Sequence, residues 1–95
     1  MTIVVGNTSW ERFSRCRNGE SLLMAGAWRD RAGGRVMALV GGRRGSWHWR
    51  IERYGGALGT ARLAEGDASN QLEAMRAALE AVRDYFHAGK GRRVA

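Results

Sequence analysis

The residue types that most often carry out chemistry are scarce in this chain of 95 residues. Cys16 is the only thiol, and His48 and His87 are the only imidazoles. A zinc site needs further ligands at short characteristic spacings, and the sequence has none. Nothing beside Cys16 would activate it as a nucleophile, and no pair of carboxylates suggests general acid–base catalysis. We therefore expect no enzymatic activity, no cofactor and no metal.

The segment Gly41–Ser46 is similar in composition to a phosphate-binding loop. It lacks the Gly-Lys-Ser/Thr ending, and the residues that follow it are typical of a strand instead of a helix. We therefore reject phosphate-loop chemistry. Arg43 and Arg44, at the predicted tip of a hairpin, stay candidates for contact with a phosphate or an acidic surface. The alternative is that both arginines lie in a solvated turn.

Arginine dominates the charge of the chain. Fifteen of the sixteen basic residues are arginine, and the net charge is +7. GC-rich codon usage explains such a bias equally well, but the guanidinium group suits phosphate, carboxylate and aromatic faces whatever its origin. The candidates for binding a partner or nucleic acid are Arg29, Arg31, Arg35, Arg43, Arg44, His48, Arg50 and Arg53.

The positive charge is unevenly distributed along the sequence. Residues 1–64 hold eleven arginines against four carboxylates, residues 65–88 hold two against five, and residues 89–95 add three cations. The basic character therefore belongs to the predicted strands, their loops and the tail. A helix with more acids than bases is a poor surface for phosphates, so we do not expect it to contact nucleic acid.

One amphipathic helix is predicted near the C-terminus. Apolar residues recur at helical spacing, and Asp67 or Ser69 is placed to cap the helix N-terminus. The apolar stripe comprises Ala68, Leu72, Met75, Leu79, Val82 and Phe86. The opposite face comprises Glu73, Arg76, Glu80 and Arg83, whose spacing predicts pairing of opposite charges.

Alternating residues predict strands before this helix. Trp47, Trp49 and Ile51 fall on one side of a strand, with His48, Arg50 and Glu52 on the other. We expect the tryptophans to pack in the core, although base stacking is the rival role. Further strands are predicted at 20–28, with Leu22, Met24 and Trp28 on one side, at 35–40, and at 58–63. Glycine pairs at 33–34, 41–42 and 55–56 predict the turns between them.

The segment Thr8–Arg17 is open to two interpretations. Thr8 and Glu11 fit a helix capping box, whereas Asn18 and Gly19 fit a hairpin turn that follows a strand. We prefer the strand. The predicted fold class is α+β: an antiparallel β-meander of four to five strands with one C-terminal amphipathic helix packed on one face. Thr2–Val5 would supply an exposed edge that could pair with a second copy.

The chain is predicted to be one domain over residues 1–88 with a basic flexible tail at 89–95. A lone cysteine fits a reducing compartment. The first residues lack the basic and long apolar regions of a signal peptide, and no apolar run is long enough to span a bilayer. We expect a cytoplasmic protein.

Trp47-His48-Trp49-Arg50-Ile51, the Gly59-Thr60-Ala61 segment and the alanine-rich helix after them resemble small phage and prophage proteins, anti-CRISPR proteins among them. The resemblance covers about 40 of the 95 residues. It implies stoichiometric binding to a host protein or ribonucleoprotein complex, and inhibition or adaptation of that complex. Many anti-CRISPR proteins are acidic mimics of nucleic acid, and the charge of +7 departs from that pattern.

Two other families are similar in outline. Double-stranded-RNA-binding domains also end in strands and an alanine-rich helix, but they carry lysines at the helix start, where this chain has Glu65, Gly66 and Asp67. HicB-type antitoxins resemble the Gly66-Asp67 junction but lack the arginine load. We expect an acidic protein or ribonucleoprotein as the partner. The alternative is a nucleic-acid-binding or antitoxin-like regulator that binds DNA or RNA through the basic sheet.

Overall fold

The computed structural model describes residues 2–6, 8–15, 21–29, 33–43 and 45–87, and the statements below concern these residues. They form an α+β fold of six strands and one helix. The elements are β1 (Thr2–Val5), β2 (Thr8–Arg15), β3 (Ser21–Arg29), β4 (Arg35–Arg43), β5 (Ser46–Tyr54), β6 (Ala61–Ala68) and α1 (Gln71–His87). The predicted tail at 89–95 lies outside the described residues.

The sheet is an antiparallel meander in the order β1-β2-β3-β4-β5-β6, with α1 packed on one face. The predicted fold class is confirmed, with six strands instead of four to five. Residues 8–15 form a strand, as preferred over a helix, and Thr2–Val5 forms an edge strand. The proposed turn at Asn18 and Gly19 lies outside the described residues.

The core lies between α1 and the middle of the sheet. Ala38 pairs with Ile51, and Val40 pairs with Trp49, so these side chains point to the same face as the apolar side of α1. Trp47 and Trp49 are half-buried against this core, which confirms their predicted orientation. Trp10 is completely buried.

Trp49 also covers its cross-strand neighbour Gly66. A Cβ atom at position 66 would lie 2.8 Å from the Cζ2 and Nε1 atoms of the indole. Real Cβ atoms do not approach other heavy atoms so closely, so the ring occupies the space that a side chain would need. The absence of a side chain in β6 therefore allows a large aromatic group to lie flat on the sheet.

The helix begins later than predicted. Asn70 caps it: the Asn70 Oδ1 atom accepts a hydrogen bond of 2.9 Å from the Glu73 amide. Asp67 and Ala68 belong to β6, whose bounds replace the predicted strand at 58–63. Loop 55–60 comes between β5 and β6. An alanine-rich segment fits both the alternation of a strand and the spacing of a helix. The periodicity of the sequence therefore misplaced the junction between β6 and α1.

The predicted ion pairs along α1 are absent from the described residues. Glu73 accepts a hydrogen bond of 2.6 Å from the Ser69 hydroxyl, and Arg76, Glu80 and Arg83 form no ion pair there. Helical spacing makes such pairs geometrically accessible, but on an exposed surface they gain little over solvation.

A β-bulge changes which side chains of β3 point to the core. Its pairing with β4 shifts between Met24 and Ala27, so Leu23 and Trp28 point to the core, while Met24 points away from it. The prediction that Leu22, Met24 and Trp28 share one side is therefore wrong. An extra residue exchanges the two sides of the strand, and strict alternation does not anticipate it.

The β4–β5 turn is tighter than predicted. Gly41, Gly42 and Arg43 extend β4, and Arg43 pairs with Ser46. Only residues 44 and 45 remain between the strands, and Gly45 has a φ of +80°, as a two-residue hairpin requires. The hairpin tip was predicted at Arg43 and Arg44, and this is wrong for Arg43, which is the last residue of β4.

Candidate partner-binding face

Six strands share one face that α1 does not cover. We call it the uncovered face and define it by the outward-pointing positions of β3, β4, β5 and β6. The pairing of the strands places these positions in rows across the sheet. No helix or strand of the described ranges packs against it. The described members of the predicted binding set that lie on this face are Arg29, Arg35, Arg43, His48 and Arg50.

Two arginines face each other at one end of the uncovered face. Arg29 on β3 pairs directly with Arg35 on β4, and Arg35 pairs with Tyr54 on β5. Both arginine side chains are exposed, and neither forms an ion pair or hydrogen bond within the described part of the chain. Like charges directly opposite in a sheet are destabilising. Among the described residues, the positive charge at this end therefore has no carboxylate paired with it.

A compact ionic cluster lies beside it on β5 and β6. Glu52 lies 2.9 Å from Arg50 and 3.6 Å from Arg62, and Arg62 bonds Glu65 at 3.2 Å. The Tyr54 hydroxyl donates a hydrogen bond to Glu52. These contacts balance the charge of Arg50 and Arg62 locally, in contrast to the arginine pair on β3 and β4.

The cluster shifts the pKa of two of its members. The hydrogen bond from Tyr54, reinforced by Arg50 and Arg62, lowers the pKa of Glu52 below its ordinary value, although partial burial opposes the shift. The same hydrogen bond raises the pKa of Tyr54 above its ordinary value. At neutral pH the cluster therefore holds an ionised carboxylate and a neutral phenol.

Apolar side chains occupy the middle of the uncovered face. Leu22 and Met24 on β3 lie across from β4, where Met37 and Leu39 point to the same side. Leu39 is 9% exposed, and the other three are half-buried. The face thus has an apolar strip between the opposed arginines and His48, which is exposed towards the other end of β5.

Arg53 does not share this face. It continues the alternation of Trp47, Trp49 and Ile51, is 4% exposed, and donates a hydrogen bond of 3.1 Å from Nη1 to the carbonyl oxygen of Gly55. This hydrogen bond holds the turn that follows β5. Arg31 and Arg44 lie outside the described residues, and Arg43 is exposed at the end of β4.

Sequence reasoning did not identify Tyr54, Arg62 and Glu65 as members of the face. Continuing the alternation of β5 by one step would have found Tyr54, as it would have excluded Arg53. Arg62 and Glu65 could not be found in this way, because the register between β5 and β6 shifts after Ile51.

The face combines exposed cations, an apolar strip and an ionic cluster in which the charges are balanced. No group of three potential metal ligands occurs among the described residues. The single helix in the described part of the chain is too short and polar to cross a membrane. No family model, no curated protein and no solved structure matches the chain.

Proposed function

We propose that this chain is a non-enzymatic binding protein whose uncovered face holds an acidic surface of a protein or ribonucleoprotein complex. The observation that carries the proposal is the pair Arg29 and Arg35, exposed and directly opposed, with no ion pair to a carboxylate in the described part of the chain. A sheet gains nothing in stability from such a pair. An acidic side chain placed between the two guanidinium groups would offset their repulsion and accept hydrogen bonds from both.

The apolar strip favours a protein partner. Methionine and arginine are enriched in protein interfaces, where an apolar centre is surrounded by polar residues. Met37 lies in the strip, in the row next to Arg29 and Arg35, and Met24 lies one row further along. Nucleic-acid-binding sheets instead present aromatic rings for base stacking. Here Trp47 and Trp49 pack on the opposite face, against the core, and on the uncovered face the aromatic ring of Tyr54 is held by its hydrogen bond to Glu52.

We further propose that the partner belongs to a host complex that this chain inhibits or adapts. The basis is the resemblance of its Trp47–Ile51 strand and alanine-rich helix to phage and prophage proteins. Stoichiometric binding needs no catalytic group, and it is compatible with the composition of the face. The genes beside this one test the proposed origin: a setting without phage or mobile-element genes would count against it.

The experiment compares two double variants that remove the same charge. R29Q/R35Q changes the uncovered face, whereas R76Q/R83Q changes exposed arginines on α1. Each immobilised protein is incubated with a nuclease-treated host lysate at low salt, and retained proteins are identified by mass spectrometry. We expect the wild type and R76Q/R83Q to retain the same partner and R29Q/R35Q to lose it.

A parallel titration with a DNA duplex and a single-stranded RNA tests the alternative that the uncovered face binds nucleic acid. The wild type could bind one of these nucleic acids with an affinity that falls steeply with the logarithm of salt concentration, while R29Q/R35Q does not bind. This result would identify nucleic acid, and not a protein, as the partner of the uncovered face. Equal capture of the partner by all three proteins would overturn the role of the uncovered face.

A further inference from the structure

A second candidate surface lies at the opposite edge of the molecule from β6. It is a groove between the edge strand β1 and the helix α1. Val4, Val5 and Gly6 form one wall. The other wall is formed by α1 residues Leu72, Arg76, Leu79, Glu80 and Arg83. None of these residues belongs to the uncovered face described above.

The strand wall presents backbone groups that do not pair with another strand of the described ranges. β1 is the first strand of the sheet and pairs only with β2 among the described residues. In an antiparallel edge strand, alternate residues direct their N–H and C=O groups away from the sheet. Val4, in this strand, is 65% exposed. The strand is therefore a template for one more strand.

The helix wall is apolar and cationic. Leu72 is 44% exposed, and Leu79 lies between Arg76 and Arg83 along the helix. The two arginines are exposed and form no ion pair within the described ranges, although Glu80 lies in the same wall. With two cations and one carboxylate, the wall carries a net positive charge.

We infer that this groove binds an extended acidic peptide of another protein, which adds a strand to β1. Strand addition beside a helix uses main-chain hydrogen bonds for affinity and side-chain contacts for specificity. Leu72 and Arg83 are eleven residues apart, or about 16 Å along a helix. The proposal places the added strand along this wall, and an extended peptide of about five residues covers that length at roughly 3.4 Å per residue.

The order of the wall residues defines the peptide pattern. Leu79 lies between the two arginines, so the helix-facing positions of the peptide should be acidic, apolar and acidic. Helix-facing side chains of an added strand occur at alternate positions. The outer two would be about 13 Å apart, against about 10 Å between the Arg76 and Arg83 backbones, and long arginine side chains bridge the difference.

Charge complementarity distinguishes this occupant from two others. The tail of the chain carries Lys90, Arg92 and Arg93 and no acidic residue, so it would be repelled. A second copy pairing through Thr2–Val5 would bring an uncharged strand and another pair of helix arginines. An acidic peptide supplies the carboxylates that both alternatives lack.

The test uses a fluorescent peptide with glutamate, leucine and glutamate at alternate positions and threonine between them. Fluorescence anisotropy measures its affinity for the wild type, R76Q/R83Q and R29Q/R35Q. We expect R76Q/R83Q to weaken binding on the order of tenfold, because two charge-assisted contacts are lost. The R29Q/R35Q protein, with the same net charge, should bind like the wild type. A peptide with glutamine in place of glutamate should bind as weakly to the wild type as the acidic peptide does to R76Q/R83Q.

Two further measurements test strand addition itself. The peptide should slow amide hydrogen exchange in Thr2–Val5. Methylation of the peptide amides that face β1 should abolish binding, whereas methylation of the intervening amides should not. Equal weakening in the two double variants, or the same effect of methylation on the amides that face β1 and on the intervening amides, would overturn the inference. A dimer by light scattering that the peptide does not dissociate would assign the edge to a second copy.

The test of the groove is independent of the test of the proposed function. Loss of the host partner in R29Q/R35Q and loss of the peptide in R76Q/R83Q are independent outcomes, because the two variants change different surfaces. Either proposal can therefore fail while the other stands.

Discussion

The carboxylate of Glu52 accepts a hydrogen bond from the hydroxyl of Tyr54, two residues further along β5 and on the same face of the sheet. Arg50 and Arg62 approach the same carboxylate from β5 and from β6. The four side chains tie the two strands together at the end of the hairpin. The relationship makes the stability of this part of the sheet dependent on pH.

Tyr54→Phe should raise the pKa of Glu52 towards its ordinary value of 4.5, because the largest contribution to the lowered pKa is the phenol hydrogen bond. Carbon-13 NMR titration of the glutamate carboxyl groups measures it. Tyr85→Phe, on α1, is the matched control and should leave the Glu52 titration unchanged. An unshifted Glu52 in Tyr54→Phe would contradict the assignment.

Glu52 should also make unfolding sensitive to acid. A lowered pKa in the folded state stabilises the fold above the unfolded value near 4.5, and this contribution is lost as pH falls through the folded pKa. Tyr54 has a raised pKa, so its contribution is present below 10.0 and lost as pH rises further. Urea unfolding of Glu52→Gln should show a loss of about 1 kcal/mol at neutral pH that shrinks in acid. A loss that stays constant from neutral pH into acid would contradict the stabilising role of the lowered Glu52 pKa.

Gly42→Ala should destabilise the protein by about 3 kcal/mol. Gly42 is buried with a φ of +147°, and an added Cβ would lie 2.4 Å from the carbonyl oxygen of Ser46. The comparison is Gly45→Ala, where φ is +80° but no atom lies within 4 Å of the Cβ position. That variant should lose only about 1 kcal/mol from the backbone conformation. Equal midpoints in urea would refute the steric argument.

Arg53→Met should lower the free energy of unfolding by about 2 kcal/mol. Methionine retains an apolar stem but removes the guanidinium that binds Gly55, leaving that carbonyl oxygen without its donor. Arg35→Met, on the exposed side of β4, removes the same charge and should cost far less. Thermal unfolding of both variants measures the difference, and similar melting temperatures would show that Arg53 contributes little to the turn.

Arg35→Gln should stabilise the fold by a few tenths of a kcal/mol, because it relieves repulsion from Arg29. The gain should shrink at high salt, where exposed charges are screened. A double-mutant cycle with Arg29→Gln should be non-additive, since either substitution removes the same repulsion. Additive effects would mean that the two guanidinium groups already avoid each other.

Local periodicity was sufficient for much of the fold. The alternation from Trp47 to Glu52 identified both faces of β5, and the helical spacing from Leu72 to Phe86 identified α1. Each pattern depends only on residues near in sequence, which is why it could be read without knowledge of the sheet. The same alternation places Arg53 with Ile51, although the positive charge of Arg53 suggested a surface role.

Features that depend on the pairing between strands could not be predicted from the sequence. The bulge after Met24 exchanges the faces of β3, and the shift after Ile51 sets which β6 residues meet Glu52. The opposition of Arg29 and Arg35 likewise follows from the register of two strands. No residue type by itself indicates a register shift, so the residues of the uncovered face could be predicted only in part.

The contact between Gly66 and the Trp49 indole has a consequence for the descent of this protein. A side chain at position 66 requires the ring at position 49 to shift from its place on the sheet or to be replaced by something smaller. Once Gly66 carries a side chain, a tryptophan at position 49 can no longer lie in this place. Among chains derived from this one, the two positions should therefore change together.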